Sequence, residues 1–392
     1  MIKLKSIYIG TFVMLFSSAL LSSCINDKYE GCPDISEGNT YRLNIDISAP
    51  ASLTRAAGDP TDPGTNPENF INLDDVKVFV LNSDNNSILE ELEIEDIQRT
   101  GLGHYTLTGT YTFPDVVHPF RLAVLANSAG DFQGDYSFIK PGETTLNGLY
   151  SNTPAFEFTM PVDTDEETHR AWSPVVKEDD SEAVVEKGIP MFGLSKPISP
   201  IPSSTSYIPP VDIEIPMLRS LAKLILNDKT PEEANIKIIS AYIKGYNKLG
   251  RFIPDGINNP DWWKVDNQVL TPSLPSQISI EENAVMLQGS DKEFYAYLPE
   301  MEITDETERP VLEILASVNG REGKIFEVPI GEYPEHQLDE EIDFNILRNH
   351  RYTFNILNIN DNGVTLIIRV NDDWEEIHSM GIEDITSEED EI

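Results

Sequence analysis

The sequence predicts an all-β protein, built as two antiparallel β-sandwiches in tandem. Three observations carry this. Short runs of β-branched and aromatic residues recur from Tyr41 onward, separated by clusters of Asn, Asp, Gly and Pro. No segment holds a helical period long enough for a substantial helix. Between Ile198 and Pro210, Pro200, Pro202, Pro209 and Pro210 stand among serines, a linker composition, and the chain turns apolar again from Val211 to Leu226. The expected layout is therefore residues 56–210 and 211–378 as the two sandwiches, with 379–392 as an acidic tail.

Residues 1–23 read as a lipoprotein signal peptide. Lys3 and Lys5 supply the positive start, and Tyr8 to Leu21 is apolar but too short for a spanning helix. Leu21-Ser22-Ser23-Cys24 has the form of a bacterial lipobox, in which cleavage precedes the cysteine and Cys24 is acylated. Acyl chains such as palmitate then tether the chain to a membrane surface. Only Cys32 remains, so no internal disulfide is expected and the fold must rest on its own core.

Residues 24–55 read as a lipidated leading segment with a removable first strand. Tyr41, Leu43, Ile45 and Ile47 alternate with Arg42, Asn44, Asp46 and Ser48, the period of a half-buried strand. Pro50 ends it. Arg55 and Ala56 follow, in a Pro/Gly-rich stretch where proteases cut readily. Burial of Leu43, Ile45 and Ile47 contributes roughly 5–9 kcal/mol, comparable with the net stability of a domain. A cut after Arg55 that released this strand would leave an open sheet edge beside an apolar groove, and such an edge captures strands.

Further strands are expected at Val76–Leu81, Tyr105–Phe113, Phe120–Ala126 and Phe156–Met160. The continuous apolar run from Phe120 suits a strand buried on both faces. Thr164–Lys187 is acidic and unpatterned and reads as a surface loop. Met217 to Leu224 fits either a strand or a short helix. Thr230-Pro231-Glu232-Glu233 reads as a one-turn helix start, with Thr230 as cap. Strands follow at Lys237–Tyr246, Phe294–Leu298, Val311–Val318, Lys324–Ile330, Tyr352–Ile359 and Val364–Val370. Asn319-Gly320 and Asn360–Gly363 are hairpin turns.

The composition argues against several function classes. The formal net charge is −39, which disfavours nucleic acid and anionic membrane surfaces as partners. The six histidines are scattered without metal-ligand spacing, and no nucleophile elbow or phosphate loop occurs. No catalytic residue, metal site or cofactor is expected. Trp262-Trp263 could form a sugar-stacking platform, although two tryptophans in a loop are more often packing residues. The alternative reading from another class is thus a glycan-binding surface lipoprotein.

Cys24, the early strand, Thr54-Arg55-Ala56, the tandem sandwiches, and Leu347-Arg348-Asn349-His350-Arg351-Tyr352-Thr353-Phe354 ahead of Asp373-Trp374-Glu375 together resemble the Bacteroidales fimbrillins. These are the FimA/Mfa1-like and FimB/Mfa2-like subunits of type V pili. The resemblance implies transthyretin-like sandwiches, transport to the outer membrane as a lipoprotein, and cleavage after Arg55 by an Arg-specific surface protease. It also implies donor-strand exchange with other fimbrial subunits, in a homo- or hetero-polymer that takes part in adhesion or biofilm through host or bacterial surface ligands. Two features depart from a stalk subunit. Cys24-Ile-Asn-Asp-Lys-Tyr-Glu-Gly-Cys-Pro resembles anchor-type starts. The segment after Trp374 is acidic, and its candidate donor residues Ile377, Met380, Ile382 and Ile385 do not alternate cleanly. Val364–Val370 is a donor only if it lies outside its own core. An anchor or tip role is the alternative.

Overall fold

A computed structural model describes residues 40–49, 66–101, 103–112, 118–137, 139–146, 157–163, 170–179, 182–199, 210–254, 284–290, 292–301, 309–321, 323–330, 346, 348–359, 364–371 and 378–382. Nearly all the regular elements of the described chain are strands, as expected. The first half holds β1 (Thr40–Ser48), a short helix α1 (Asn66–Asn69), β2 (Val76–Asn82), β3 (Ile88–Glu91), β4 (Ile94–Gly101), β5 (His104–Thr112), β6 (Phe120–Ala126), β7 (Glu157–Thr159), β8 (Val162–Asp163), β9 (Arg170–Ala171), β10 (Val175–Asp179), β11 (Glu182–Lys187), β12 (Met191–Leu194) and β13 (Val211–Arg219). The second holds β14 (Ala222–Asp228), β15 (Ile236–Lys244), β16 (Leu249–Arg251), β17 (Val285–Met286), β18 (Gln288–Ser290), β19 (Glu293–Leu298), β20 (Val311–Val318), β21 (Lys324–Pro329), β22 (Arg351–Ile359), β23 (Val364–Asn371) and β24 (His378–Ile382).

The first half forms a sheet of order β3-β2-β6-β12-β13-β1-β5-β4. It curls so that β1 and β5 face β2 and β6 across one core of Leu43, Ile45, Val78, Val80, Leu107, Leu122 and Val124. β6 is buried along its whole length. Its alternate residues Ala123 and Leu125 enter a second cluster with Phe158, Trp172, Phe192, Phe252 and Tyr297. That explains the apolar run Leu122–Ala126: neither face meets water, and the strand's one cation, Arg121, donates to Ser195 O at 2.9 Å.

The second half packs sheet β18-β19-β14-β22-β23-β24 on sheet β21-β20-β15-β17-β9-β8. Leu224, Phe294 and Phe354 from one meet Ile243, Leu312 and Ile314 from the other. The pairing repeats that of the first half. β1 lies between antiparallel β5 and parallel β13, as β14 lies between antiparallel β19 and parallel β22. β6 pairs β2 as β20 pairs β15.

Several expectations change. The sandwiches are not purely antiparallel, because β1–β13 and β14–β22 run parallel; side-chain alternation looks the same in either direction. Val211–Arg219, expected to open the second sandwich, is a strand of the first sheet, so the chain crosses over at Ser220–Leu221. This also settles Met217–Leu224: strand, bend, strand. Thr164–Lys187 is no simple loop. β10 and β11 pair as a hairpin, β9 joins the second half's sheet, and Trp172 is buried. Near Thr230, Pro231 caps a 3-10 turn at Glu232–Ala234 and the Thr230 hydroxyl donates to Asp228 instead. Residues 379–382, counted with the acidic tail, belong to β24, which pairs with β23. The Asn319-Gly320 turn is as expected, with φ of 56° and 70° linking β20 to β21.

Candidate functional site

β1 is the element on which the candidate site is built. Tyr41, Leu43, Ile45 and Ile47 are at most 2% exposed, because their alternation turns all of them into the curled sheet's core. The strand is central, not peripheral. Its nine residues Thr40 to Ser48 pair with Thr112 to His104 of β5, and Leu43 to Ser48 pair with Val211 to Pro216 of β13. Burial pushes the Tyr41 phenol up, and that of its partner Tyr111 up to about 12 with Glu90 adding to the effect, so both rings stay neutral in the core.

The outward residues of β1 make polar contacts. Asn44 Nδ2 donates to Asp212 Oδ1 at 2.8 Å, Thr106 Oγ1 donates to Asp46 Oδ1 at 2.7 Å, and the Thr40 and Thr112 hydroxyls meet at 2.8 Å. At the strand's end the Ala49 N–H donates to Gly103 O at 2.7 Å. Gly103 has φ +69°, and a Cβ there would meet Ala49 Cβ at 3.1 Å. That close approach requires glycine.

Segment 50–65 separates β1 from α1, which is pinned where the two halves meet. The Glu68 carboxylate accepts from Lys223 Nζ and Tyr297 Oη, each at 2.5 Å. Arg219 donates to Glu68 O at 3.2 Å, to Asn349 Oδ1 at 3.1 Å, and to Asn69 Oδ1. Burial alone would raise the Glu68 pKa, but Arg219, Lys223 and the Tyr297 hydroxyl outweigh it and hold the carboxyl below its usual range. A second buried pair lies close by in sequence: Arg348 donates to both oxygens of Glu300 and to Phe252 O at 3.1 Å. Sequence reasoning missed this junction. Its signal was a cation within an apolar run, Met217-Leu218-Arg219-Ser220-Leu221, which calls for a buried partner.

No protein-family model matches the chain. No curated protein matches it either. Among solved structures it is similar to the tip fimbrial protein Mfa3 from Porphyromonas gingivalis with C-terminal truncation, at 15% identity and a TM-score of 0.47, over 88% of this chain and 100% of that one. It is also similar to a fimbrial assembly protein from Parabacteroides distasonis, at 11% identity and a TM-score of 0.41, over 87% and 99% of the two chains.

Of the other sites expected from sequence, Cys24, Arg55, Ala56, Trp262, Trp263, Ile377 and Ile385 lie outside the described residues. Met380 and Ile382 lie in β24, in register with Ile368 and Leu366 of β23. Val364–Val370 is β23 itself, paired on β22 in its own sheet. Among the described residues no group of His, Cys, Asp and Glu is placed to hold a metal ion, and no helix is long and apolar enough to cross a membrane. A cleft of about 230 Å³ is lined by Asp75, Asn127, Asp131, Trp172 and Lys187. Its groups are taken up internally, as Trp172 Nε1 donates to Asp131 at 2.8 Å and Asp75 accepts from the Ala129 N–H at 2.7 Å.

Proposed function

We propose that this chain is a non-enzymatic subunit of a bacterial surface fimbrium that takes part in adhesion. It is exported as a lipoprotein through Cys24 to the outer membrane, cut after Arg55 by an Arg-specific surface protease, and assembled by strand exchange with other fimbrial subunits. One observation carries this reading. β1 fills the middle of the first sheet, with a fully buried face, yet its one covalent link to the other described elements is segment 50–65, which contains Arg55. A cut there makes a central strand exchangeable without breaking any other connection. Its loss would bare the edges of both β5 and β13 and the core between them.

The pairing of β24 with β23 favours a chain that does not donate its C-terminal strand, hence a terminal position, tip or anchor, rather than the stalk. The N-terminus of the protein taken from its native surface tests the two roles. Ala56 as N-terminus fits a cut and assembled subunit, and lipidated Cys24 fits a retained anchor. Limited digestion of the folded chain with an Arg-specific protease tests the exchange. Release of residues 40–49 from the cut chain is expected once a donor strand from another fimbrial subunit is supplied; a cut chain that keeps them under those conditions overturns the reading.

A further inference from the structure

The outer rim of the β1 groove is acidic on one side. On the β13 side the outward residues are Asp212 and Glu214, both exposed. On the β5 side the residues in register with Asp46, Asn44 and Arg42 are Thr106, Thr108 and Thr110, which are neutral, and His104 stands beyond them beside Ser48. Beside Asn44 and Asp46 the rim's charge therefore comes from β13. The resident strand fits that side poorly. Asp46 stands in register with Glu214, so two carboxylates are neighbours on one face of a parallel pair. Like charges side by side across strands destabilise the pair. Thr106 supports Asp46 from the other side, and among the described residues no cation forms a salt bridge with Asp46 or Glu214. Asn44 meets Asp212 with a neutral amide where a cation would bond more strongly.

We propose that this groove is shaped for a strand bearing Lys or Arg at the two outward positions beside Asp212 and Glu214. Such a strand displaces β1 because it keeps the apolar alternation and replaces a repulsive pair with two attractive ones. The inference rests on the strand-exchange reading and deepens it by naming the partner's chemistry. It also argues against the C-terminal segment of a second copy of this chain as donor. The C-terminal segment carries Glu383, Asp384, Glu388, Glu389, Asp390 and Glu391 and would face Asp212 and Glu214 with more negative charge. The expected donor is therefore a strand of a different subunit.

The experiment uses the full chain, cut at Arg55 and freed of residues 40–49, with fluorescent peptides as probes. These are the parent peptide 40–49, the same peptide with Asn44→Lys and Asp46→Lys, and peptide 376–385 of this chain. The dilysine peptide is expected to bind about tenfold tighter than the parent at low salt, with the advantage shrinking in high salt and in a Glu214→Gln chain. Peptide 376–385 is expected to bind more weakly than the parent. Equal binding of parent and dilysine peptides, or an advantage unchanged by Glu214→Gln, overturns the inference and leaves strand exchange standing. Failure of every peptide to bind overturns both.

Discussion

Lys223 Nζ lies 2.5 Å from Glu68 Oε1, tying the helix that follows segment 50–65 to the first strand of the second half. Both side chains are nearly buried, at 15% and 6% exposure. Arg219 and Tyr297 converge on the same two-residue stretch. Glu68 and Asn69, on the far side of segment 50–65 from β1, are thus held at the junction by contacts that do not involve β1. On the strand-exchange reading, loss of β1 leaves this anchor in place, so the emptied groove keeps one fixed end.

The Glu68 contacts predict an acid-sensitive junction. A carboxyl held below its unfolded value adds stability in full above that value and loses it as pH falls through the folded value. The window therefore lies below the ordinary glutamate value of 4.5. Glu68→Gln should cost about 3 kcal/mol near neutral pH, and the gap to the parent should close in strong acid. Urea unfolding at a series of pH values measures this; a gap independent of pH would refute it.

Arg348 and Glu300 form a pair that neither residue survives alone. Arg348 is 1% exposed, and its removal leaves a buried carboxylate and the carbonyls of Arg251 and Phe252 without their donor. Arg348→Met should cost about 3–5 kcal/mol. Adding Glu300→Met should recover part of that loss, since the double change removes the stranded charge. A double-mutant cycle in urea reads the coupling.

Within β1, face decides the cost. Leu43 is fully buried and Arg42 is exposed. Leu43→Ala should destabilise the chain by about 2–5 kcal/mol, and Arg42→Ala by no more than about 0.5 kcal/mol. Denaturant midpoints of the two variants suffice to compare them.

Gly193, in β12, is a close-approach position. A Cβ there would lie 2.4 Å from Met217 Sδ, 2.7 Å from Ile215 Cγ2 and 2.8 Å from Pro216 O. The methionine can turn aside, but the carbonyl belongs to β13 and cannot. Gly193→Ala should lower the thermal midpoint, at a cost of about 1–3 kcal/mol, with Gly101→Ala, where a Cβ would meet nothing nearer than 3.6 Å, as the uncrowded comparison.

Periodicity made a large part of this fold legible. Tyr41 to Ile47, Phe120 to Ala126, Val311 to Val318 and the Asn319-Gly320 hairpin all lie where alternation, apolar runs and turn residues placed them. These signals are local, set by the side-chain period of a strand and the positive φ that Asn and Gly tolerate. Weak strands escaped notice. β4 is a largely exposed edge strand reading Ile-Glu-Asp-Ile-Gln-Arg-Thr-Gly, and an edge with little to bury leaves little pattern.

What the residues alone settle about β1 is its face: Tyr41, Leu43, Ile45 and Ile47 must turn inward, since only burial accounts for their alternation. Which strands flank it is a different matter. Ile45 pairs with Leu107 on one side and, in parallel, with Ile213 on the other. Nothing within nine residues of chain encodes a partner so far away, because backbone hydrogen bonds are the same for every sequence. Only the assembled sheet brings Asp46 beside Glu214, and Glu68 beside Lys223, so the charges on the groove's rim and at its fixed end belong to the tertiary structure.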